Sequence, residues 1–217
     1  MSRPKIARKS TWVDMTAFCD MAFLLLSFFI LTAKTKAPEA VSVLVPNSVS
    51  SKAAEDKDQV LVTITKDGKV FFSLSEEARR ADLMEELNIQ KQIGLTPADF
   101  ALAKKKDFFG APLNTIKSFL SLPPEQMKGD LLPGIPCVDS TNNELVTWVA
   151  AAVTIYRGEK MNLMVKGDND VPYPIFKNVI DAFKKNDQLK FQVVTNQEPI
   201  PAGSALSKQR DKGIKQE

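Results

Sequence analysis

From Val13 to Ala33 the chain reads V-D-M-T-A-F-C-D-M-A-F-L-L-L-S-F-F-I-L-T-A, and this stretch decides the architecture of the protein. As a helix, the part between Asp14 and Lys34 would measure about 28 Å, close to the roughly 30 Å hydrocarbon core of a bilayer. The stretch therefore predicts one transmembrane helix over residues 13–33. Residues 1–12 are expected in the cytoplasm by the positive-inside rule, because they hold four basic side chains: Arg3, Lys5, Arg8 and Lys9. The rest of the chain would then lie in the periplasm of a Gram-negative cell, anchored to its inner membrane.

A cleaved signal peptide is the alternative interpretation, since the uninterrupted apolar part, Met21–Ala33, has the length of a signal-peptide core. The residues that follow, K-T-K-A-P-E, lack a good small-x-small cleavage site. An aspartate directly before the apolar run is also unusual in a signal. A mature chain that begins near Lys34 on N-terminal sequencing would end the membrane hypothesis.

Asp20 is the leading functional candidate, because it is an ionisable residue inside the apolar stretch. Inserting a carboxylate near the bilayer centre costs about 2.5–3.5 kcal/mol, and such residues usually face a partner or a water path. Thr16 precedes Asp20 by one turn and Ser27 follows it at i+7, so the three predict one polar helix face. Two plainer interpretations stay open: a shallow, water-exposed Asp20 near the interface, and a Ser27 that bonds back to its own helix.

Composition argues against several function classes. With 217 residues and 44% hydrophobic content, the chain suits one membrane anchor and one soluble domain. A net charge of +3 leaves the soluble part nearly neutral, which disfavours a nucleic-acid partner. Histidine is absent, which removes Ser-His-Asp and Cys-His catalysis and the commonest metal ligand. The sequence also lacks the usual phosphate-binding loops, so we expect no enzyme activity, cofactor or metal.

Patterning beyond the apolar stretch predicts three segments: a periplasmic linker over residues 34–58, an α+β domain over 59–195 and a flexible tail over 196–217. The linker contains V-S-V-L-V-P at residues 41–46. Its alternation predicts a short strand that Pro46 ends.

Within the predicted domain, the clearest β signal is Q-V-L-V-T-I-T-K-D-G-K-V-F-F-S, a hairpin with a tight turn at Asp67-Gly68. Further patterns predict helices over residues 75–94, from Thr96-Pro97, over 112–122, and from Asn142 or Thr141 to about Arg157, with Trp148 in the core. A βαβ unit follows: M-N-L-M-V-K, then P-I-F-K-N-V-I-D-A-F-K-K, then L-K-F-Q-V-V-T. The expected fold is a single N-terminal transmembrane helix and a small α+β domain with helices packed on a mixed sheet.

Three separated stretches resemble one family, the ExbD/TolR energy transducers of bacterial inner membranes. The stretch from Val13 resembles the family signature V-D-M-T-P-x-x-D-x-x-x-x-L-x-x-F-F-x-x-T, with its intramembrane aspartate at Asp20. I-T-K-D-G-K-V-F-F is similar to the family's hairpin, and V-K-G-D-N-D-V-P-Y-P-I-F-K-N-V-I-D-A-F-K-K to its strand-turn-helix. Two features depart from the family: Ala17 stands where a helix-bending Pro is usual, and an insert of about 76–160 exceeds the compact members.

The resemblance implies an ExbD-like subunit driven by the proton motive force, with Asp20 exchanging protons and Thr16 and Ser27 on the pathway face. Its implied partners are an ExbB-like pentameric channel, a second copy of this chain, and a TonB-like transducer that serves outer-membrane transport. A TolR-like envelope-maintenance subunit with a TolA-like partner is the alternative, and peptidoglycan is a further candidate ligand. The segment at 41–46 would add to a sheet edge of the dimer or partner, or act as a tether, through four residues: Val41, Val43, Val45 and Pro46.

Other classes stay open at this point. A flagellar-type stator would carry an OmpA-like peptidoglycan domain, which the sequence does not show. A single-pass periplasmic sensor or binding protein would tolerate Asp20→Asn. A membrane-anchored hydrolase would use carboxylates such as Asp168 and Asp170, although a role in shaping the turn before Pro172 explains them better.

Overall fold

The computed structural model describes residues 15–32, 41–49, 57–139, 142–198, 203–204 and 207. The chain divides into two compact units, Met1–Glu39 and Ala40–Glu217. Apart from short 3-10 turns, the described elements in chain order are α1 (Thr16–Thr32), β1 (Asn47–Ser48), β2 (Gln59–Ile64), β3 (Val70–Leu74), α2 (Glu77–Lys91), α3 (Pro97–Lys104), α4 (Ile116–Leu120), α5 (Leu145–Ile155), β4 (Asn162–Gly167), α6 (Tyr173–Lys184), β5 (Gln192–Val193) and β6 (Asn196–Gln197).

The predicted helix of the apolar stretch is present as α1, a helix of 17 residues. It contains neither Gly nor Pro, and Cys19 N donates to Met15 O (2.9 Å) in its first turn. Val13, Asp14 and Ala33 lie outside the described residues. Of the helices within the described ranges, none unites the length and the apolar character that crossing a bilayer requires.

The unit Ala40–Glu217 is built on a four-stranded mixed sheet with strand order β3-β2-β4-β5. β2 pairs antiparallel with β3, whereas β4 runs parallel to both β2 and β5. β-Branched residues suit a central strand, and three of them in β2 are fully buried: Val60, Val62 and Ile64. β4, α6 and β5 form the predicted βαβ unit, so helices packed with a mixed sheet confirm the α+β expectation.

The β2–β3 hairpin is confirmed, but its turn is longer than a two-residue turn at Asp67-Gly68. Gly68 N donates to Thr65 O (2.9 Å) and Thr65 N donates to Lys69 O (3.0 Å), which closes a three-residue loop. Gly68 takes the left-handed conformation with φ 78°, as three-residue hairpin loops favour at this position. A side chain there would also collide with Ile175 of α6.

An aromatic cluster joins the sheet to the helices. The ring centroid of Trp148 in α5 lies 5.6 Å from that of Phe72 in β3 and 5.6 Å from that of Phe109. All three side chains are fully buried. The prediction of Trp148 as a core residue is therefore confirmed.

The insert, residues 76–160, covers the outer edge of β3. Phe72 and Phe109 exchange two backbone hydrogen bonds of 2.8 and 2.7 Å, and Ile135 N donates to Val70 O at 2.8 Å. A bare strand edge offers its N–H and C=O groups to any other extended chain. The insert thus occupies one position at which a strand could otherwise add.

Three local predictions are wrong. Residues 42–46 do not form a strand, since the amide and carbonyl of Leu44 bond to the turn at 168–169. The strand β1 begins only at Asn47. Glu144 rather than Asn142 is the N-terminal cap residue of α5, and Thr141 lies outside the described residues. The last strand shortens to β5, because the chain then leaves β4 and pairs with β1 as β6.

Candidate functional site

The three residues of the predicted polar face all lie on α1. Thr16, Asp20 and Ser27 lie on one continuous helix, and at 100° per residue their directions fall within about 40° of one another. Asp20 is exposed and Ser27 is half-buried. Ser27 Oγ donates to Leu24 O at 2.9 Å, which is the bond back to its own helix that we weighed as the plainer interpretation.

The rest of the α1 surface is apolar and exposed. Phe18, Met21 and Phe23, the nearest large neighbours of Asp20 along the chain, are each about two-thirds exposed. A carboxylate surrounded by such groups is tolerated by an apolar environment when it is protonated, and it demands water, a hydroxyl or a cation when it is ionised. This arrangement can therefore make the preferred surroundings of α1 depend on a single proton.

The second predicted group of site residues, Val41 to Pro46, lies along the surface of the α+β unit. Val41, Val43 and Val45 are half-buried, whereas Leu44 between them is exposed. Val41 packs against the core, and a Cβ placed on Gly129 would meet Val41 Cγ2 at 3.1 Å. We call residues 41–48 the strap, because they cross this surface in contact with its side chains and backbone.

Asp168, at the turn after β4, fastens the strap. Leu44 N donates to Asp168 Oδ2 (3.0 Å), and Asn169 N returns a bond to Leu44 O (2.8 Å). Asp170 N donates to Asp168 Oδ1 (3.1 Å), which confirms that Asp168 shapes the turn before Pro172. The backbone donors of Leu44 and Asp170 favour the ionised form and lower the pKa of the Asp168 carboxyl below its ordinary value.

The end of the strap pairs in parallel with β6. Asn196 N donates to Pro46 O and Glu198 N donates to Ser48 O, both at 2.9 Å. The ladder joins only two residue pairs, Asn47 with Asn196 and Ser48 with Gln197. So short a ladder holds the strap with few bonds, and a competing strand would have few bonds to replace.

The strap residues belong to the unit Ala40–Glu217, whereas Thr16, Asp20 and Ser27 belong to the unit Met1–Glu39. Sequence reasoning missed the role of Asp168 in fastening the strap, since its bond to Leu44 joins positions 124 residues apart. The turn-forming pattern around Asp168 was visible, but no local pattern names the distant amide. Across the described residues, no three side chains of the metal-ligating types gather to hold an ion.

Comparison with known proteins identifies the family. The chain matches the family model described as biopolymer transport protein ExbD/TolR over residues 7–198, which is nearly its whole length. No curated protein and no solved structure matches it significantly. Members of this family are subunits that energise transport from the proton motive force, are generally associated with the inner membrane, and work with ExbB or TolQ and with TonB or TolA. The matched range includes Asp20, the strap and the whole βαβ unit, and the chain belongs to the ExbD/TolR family.

Proposed function

We propose that this protein is the ExbD-like subunit of an inner-membrane proton motor that drives a TonB-like partner. In this proposal, α1 with its flanking residues spans the membrane over positions 13–33, the N-terminus faces the cytoplasm, and Ala40–Glu217 lies in the periplasm. The observation that carries the proposal is Asp20, the one charged residue of the mainly apolar helix α1, within the matched range of the family. A carboxylate in such a setting is by default a functional residue.

The proposed cycle rests on the two forms of Asp20. When protonated, the side chain can lie against apolar surfaces of a surrounding channel; when ionised, it returns to a hydroxyl, a cation or water. A proton that crosses the membrane releases about 2.3 kcal/mol per 100 mV of potential, which is enough to bias a two-state movement. One carboxylate in each helix would therefore couple proton flow to motion.

The exposed surface of α1 supports the proposed assembly. Large apolar side chains point outward around the helix, among them Phe18, Phe29 and Leu31. Helices in lipid associate through van der Waals packing and interhelical hydrogen bonds. We propose that two copies of α1 pack together inside a pentameric ring of ExbB-like subunits, so that Asp20 faces the ring.

We further propose that the strap passes motion to the partner through Val41, Val43, Val45 and Pro46. Because β1 and β6 share only a short ladder, the strap can leave β6 and add as a strand to a sheet edge of a TonB-like partner. Cysteine at Val43 should then crosslink to the partner in cells. A Val43→Cys protein that expresses normally and never crosslinks would limit the strap to the role of a tether.

Asp20→Asn tests the central proposal, because asparagine keeps the size of the side chain and cannot release a proton near neutral pH. We expect the variant to assemble and to lose proton-dependent transport of a TonB-dependent substrate, whereas Asp20→Glu retains part of it. Asp67→Asn, the same change at the exposed hairpin turn, is the matched control and should be neutral.

Ser27→Ala tests whether the Ser27 hydroxyl takes part in the proton pathway or only bonds to its own helix. Because Ser27 Oγ already bonds to Leu24 O, we expect transport to persist in this variant. Full transport by Asp20→Asn together with an intact envelope would refute the motor and favour a single-pass sensor. An envelope defect with normal transport in that variant would assign the protein to the TolR-like branch with a TolA-like partner.

A further inference from the structure

A groove on the surface of α1 lies beside Asp20 but does not include it. Its volume is about 500 Å³, and it runs along one side of the helix. The side chains that line it are Met21, Leu24, Leu25, Ser27, Phe28 and Leu31. All of them except Ser27 are exposed. We call this surface the α1 groove.

The spacing of the lining residues is that of a helix–helix contact. Four of them follow one another at intervals of three, four and three residues: Met21, Leu24, Phe28 and Leu31. This is the a/d repeat of a coiled coil, with Met21 and Phe28 at position a and with Leu24 and Leu31 at position d. At 100° per residue their directions fall within about 80° of one another, so they form one face of α1.

The α1 groove consists of two adjacent holes of the kind that one helix offers to another. In knobs-into-holes packing, four residues of the facing helix form each hole. Two such sets, at positions i, i+3, i+4 and i+7, begin at Met21 and at Leu24. The first set is Met21, Leu24, Leu25 and Phe28, and the second is Leu24, Ser27, Phe28 and Leu31. Together the two sets make up the whole lining of the groove.

We infer that the α1 groove is the surface through which two copies of this chain pack their helices, in parallel and with the left-handed crossing that a heptad repeat produces. In a pair related by a two-fold axis, Leu24 of the second copy enters the first hole and Phe28 of the second copy enters the second. Both of these knobs also line the groove, so the surface is complementary to itself. The inference rests on the proposed function, because it assigns the contact surface of the two-helix assembly proposed above.

Ser27 suits the wall of the second hole. Its side chain is small, which leaves room for the phenyl ring of Phe28 from the second copy. Its hydroxyl already donates to Leu24 O at 2.9 Å, so Ser27 enters the contact without an unsatisfied donor. A leucine at this position would fill the hole. The contact thus gives Ser27 a role that involves no proton transfer.

Asp20 lies at the rim of the contact. At 100° per residue it points about 60° away from the middle of the face that Met21 and Leu31 bound. It directly precedes Met21 and therefore takes position g, and in a parallel pair the two g positions lie on opposite sides of the contact. This keeps the two carboxylates apart, whereas a contact centred on Asp20 would bring two like charges together in apolar surroundings. Each Asp20 then faces whatever surrounds the pair.

Disulfide crosslinking in isolated membranes tests the contact surface. The background is the full-length chain with Cys19→Ala, in which the remaining cysteine, Cys137, is buried. Leu24→Cys is compared with Leu26→Cys, because these side chains are 59% and 57% exposed and point to opposite sides of α1. With copper phenanthroline as the oxidant, we expect Leu24→Cys to shift from monomer to disulfide-linked dimer and Leu26→Cys to stay monomeric. Leu31→Cys, at the next d position, repeats the test if Leu24→Cys accumulates poorly.

Ser27→Leu, added to the Leu24→Cys protein, tests the second hole. We expect it to abolish the dimer because the larger side chain excludes Phe28 of the second copy. Ser27→Ala should leave the dimer unchanged. Ala22→Leu, a similar enlargement on the opposite side of α1, should also leave it unchanged.

The inference is overturned if neither Leu24→Cys nor Leu31→Cys forms the dimer, if Leu26→Cys forms it as readily, or if Ser27→Leu leaves it intact. A crosslink from Leu24→Cys to an ExbB-like subunit in place of the dimer would also overturn it and would assign the groove to that partner. None of these measurements depends on proton transport, which Asp20→Asn tests separately. A wrong contact surface and a wrong motor therefore give different failures.

Discussion

The large apolar side chains of α1 are exposed, whereas those in the core of the α+β domain are buried. No described residue of α1 is buried, and Leu31 is 86% exposed, whereas Phe72 and Trp148 in the domain are 0% exposed. Most of the stability of helices in proteins comes from the packing of an apolar face. The domain therefore encloses its own core, whereas α1 leaves its large apolar side chains exposed.

Trp148→Ala should give the largest effect on the domain side of this contrast. Removal of the indole leaves a cavity between Phe72 and Phe109, and we expect the free energy of unfolding of the domain to fall by about 3–5 kcal/mol. Chemical denaturation followed by circular dichroism measures it. A loss below about 1 kcal/mol would show that the aromatic cluster does not organise the core.

Phe23→Ala is the matched change in α1. Phe23 is about two-thirds exposed and belongs to the other unit, so its removal should leave the unfolding of the domain unaltered. We expect weaker co-purification with an ExbB-like channel instead. If Phe23→Ala lowered the free energy of unfolding of the domain as much as Trp148→Ala does, the expectation that Phe23 does not stabilise the domain would be wrong.

Loss of the capping box at the start of α3 should have an intermediate effect on the free energy of unfolding of the domain. The Asp99 carboxylate accepts bonds from Thr96 N and Thr96 Oγ1, both at 2.8 Å, and these bonds lower the pKa of Asp99. Asp99→Ala should lower the free energy of unfolding by about 1 kcal/mol at neutral pH. Because the pKa is lower in the folded state, this contribution is present above the ordinary carboxyl pKa and disappears as the pH falls through the folded value. Equal unfolding of the variant and the unaltered chain at neutral pH would contradict the cap.

The smallest expected effect is the weakening of the bond between Asp168 and the strap at low pH. The pKa of Asp168 is lowered by the Leu44 and Asp170 amides, so its bonds hold the strap above the ordinary carboxyl pKa and weaken as the pH falls below about 4. The hydrogen-exchange protection of the Leu44 amide, corrected for its intrinsic rate, should fall over this range. Asp168→Asn should remove the pH dependence, and Asp67→Asn should leave it intact. A protection factor that ignores pH in the unaltered chain would mean that the carboxylate does not fasten the strap.

Local sequence patterns predicted most of the helices and the β2–β3 hairpin. The prediction for the strap failed because its conformation depends on distant residues. The helix at 77–91 carries its own apolar spacing, the helix at 97–104 its Thr96-Pro97 start, and the hairpin its turn, so each could be recognised from neighbouring residues. The strap could not, because its conformation depends on bonds from Leu44 to Asp168 and Asn169, far along the chain. Asp20 was recognisable because an acid in an apolar run is unusual wherever the helix lies.

By itself, the sequence determined which segments are helical, where the hairpin turns and which acid interrupts the apolar helix, since these follow from the periodicity and chemistry of adjacent residues. Only the tertiary structure decided that the insert closes the edge of β3 and that Asp168 holds the strap. Such arrangements join residues that no local pattern relates, because the free energy that selects them comes from long-range backbone bonds and burial formed only when the whole domain folds.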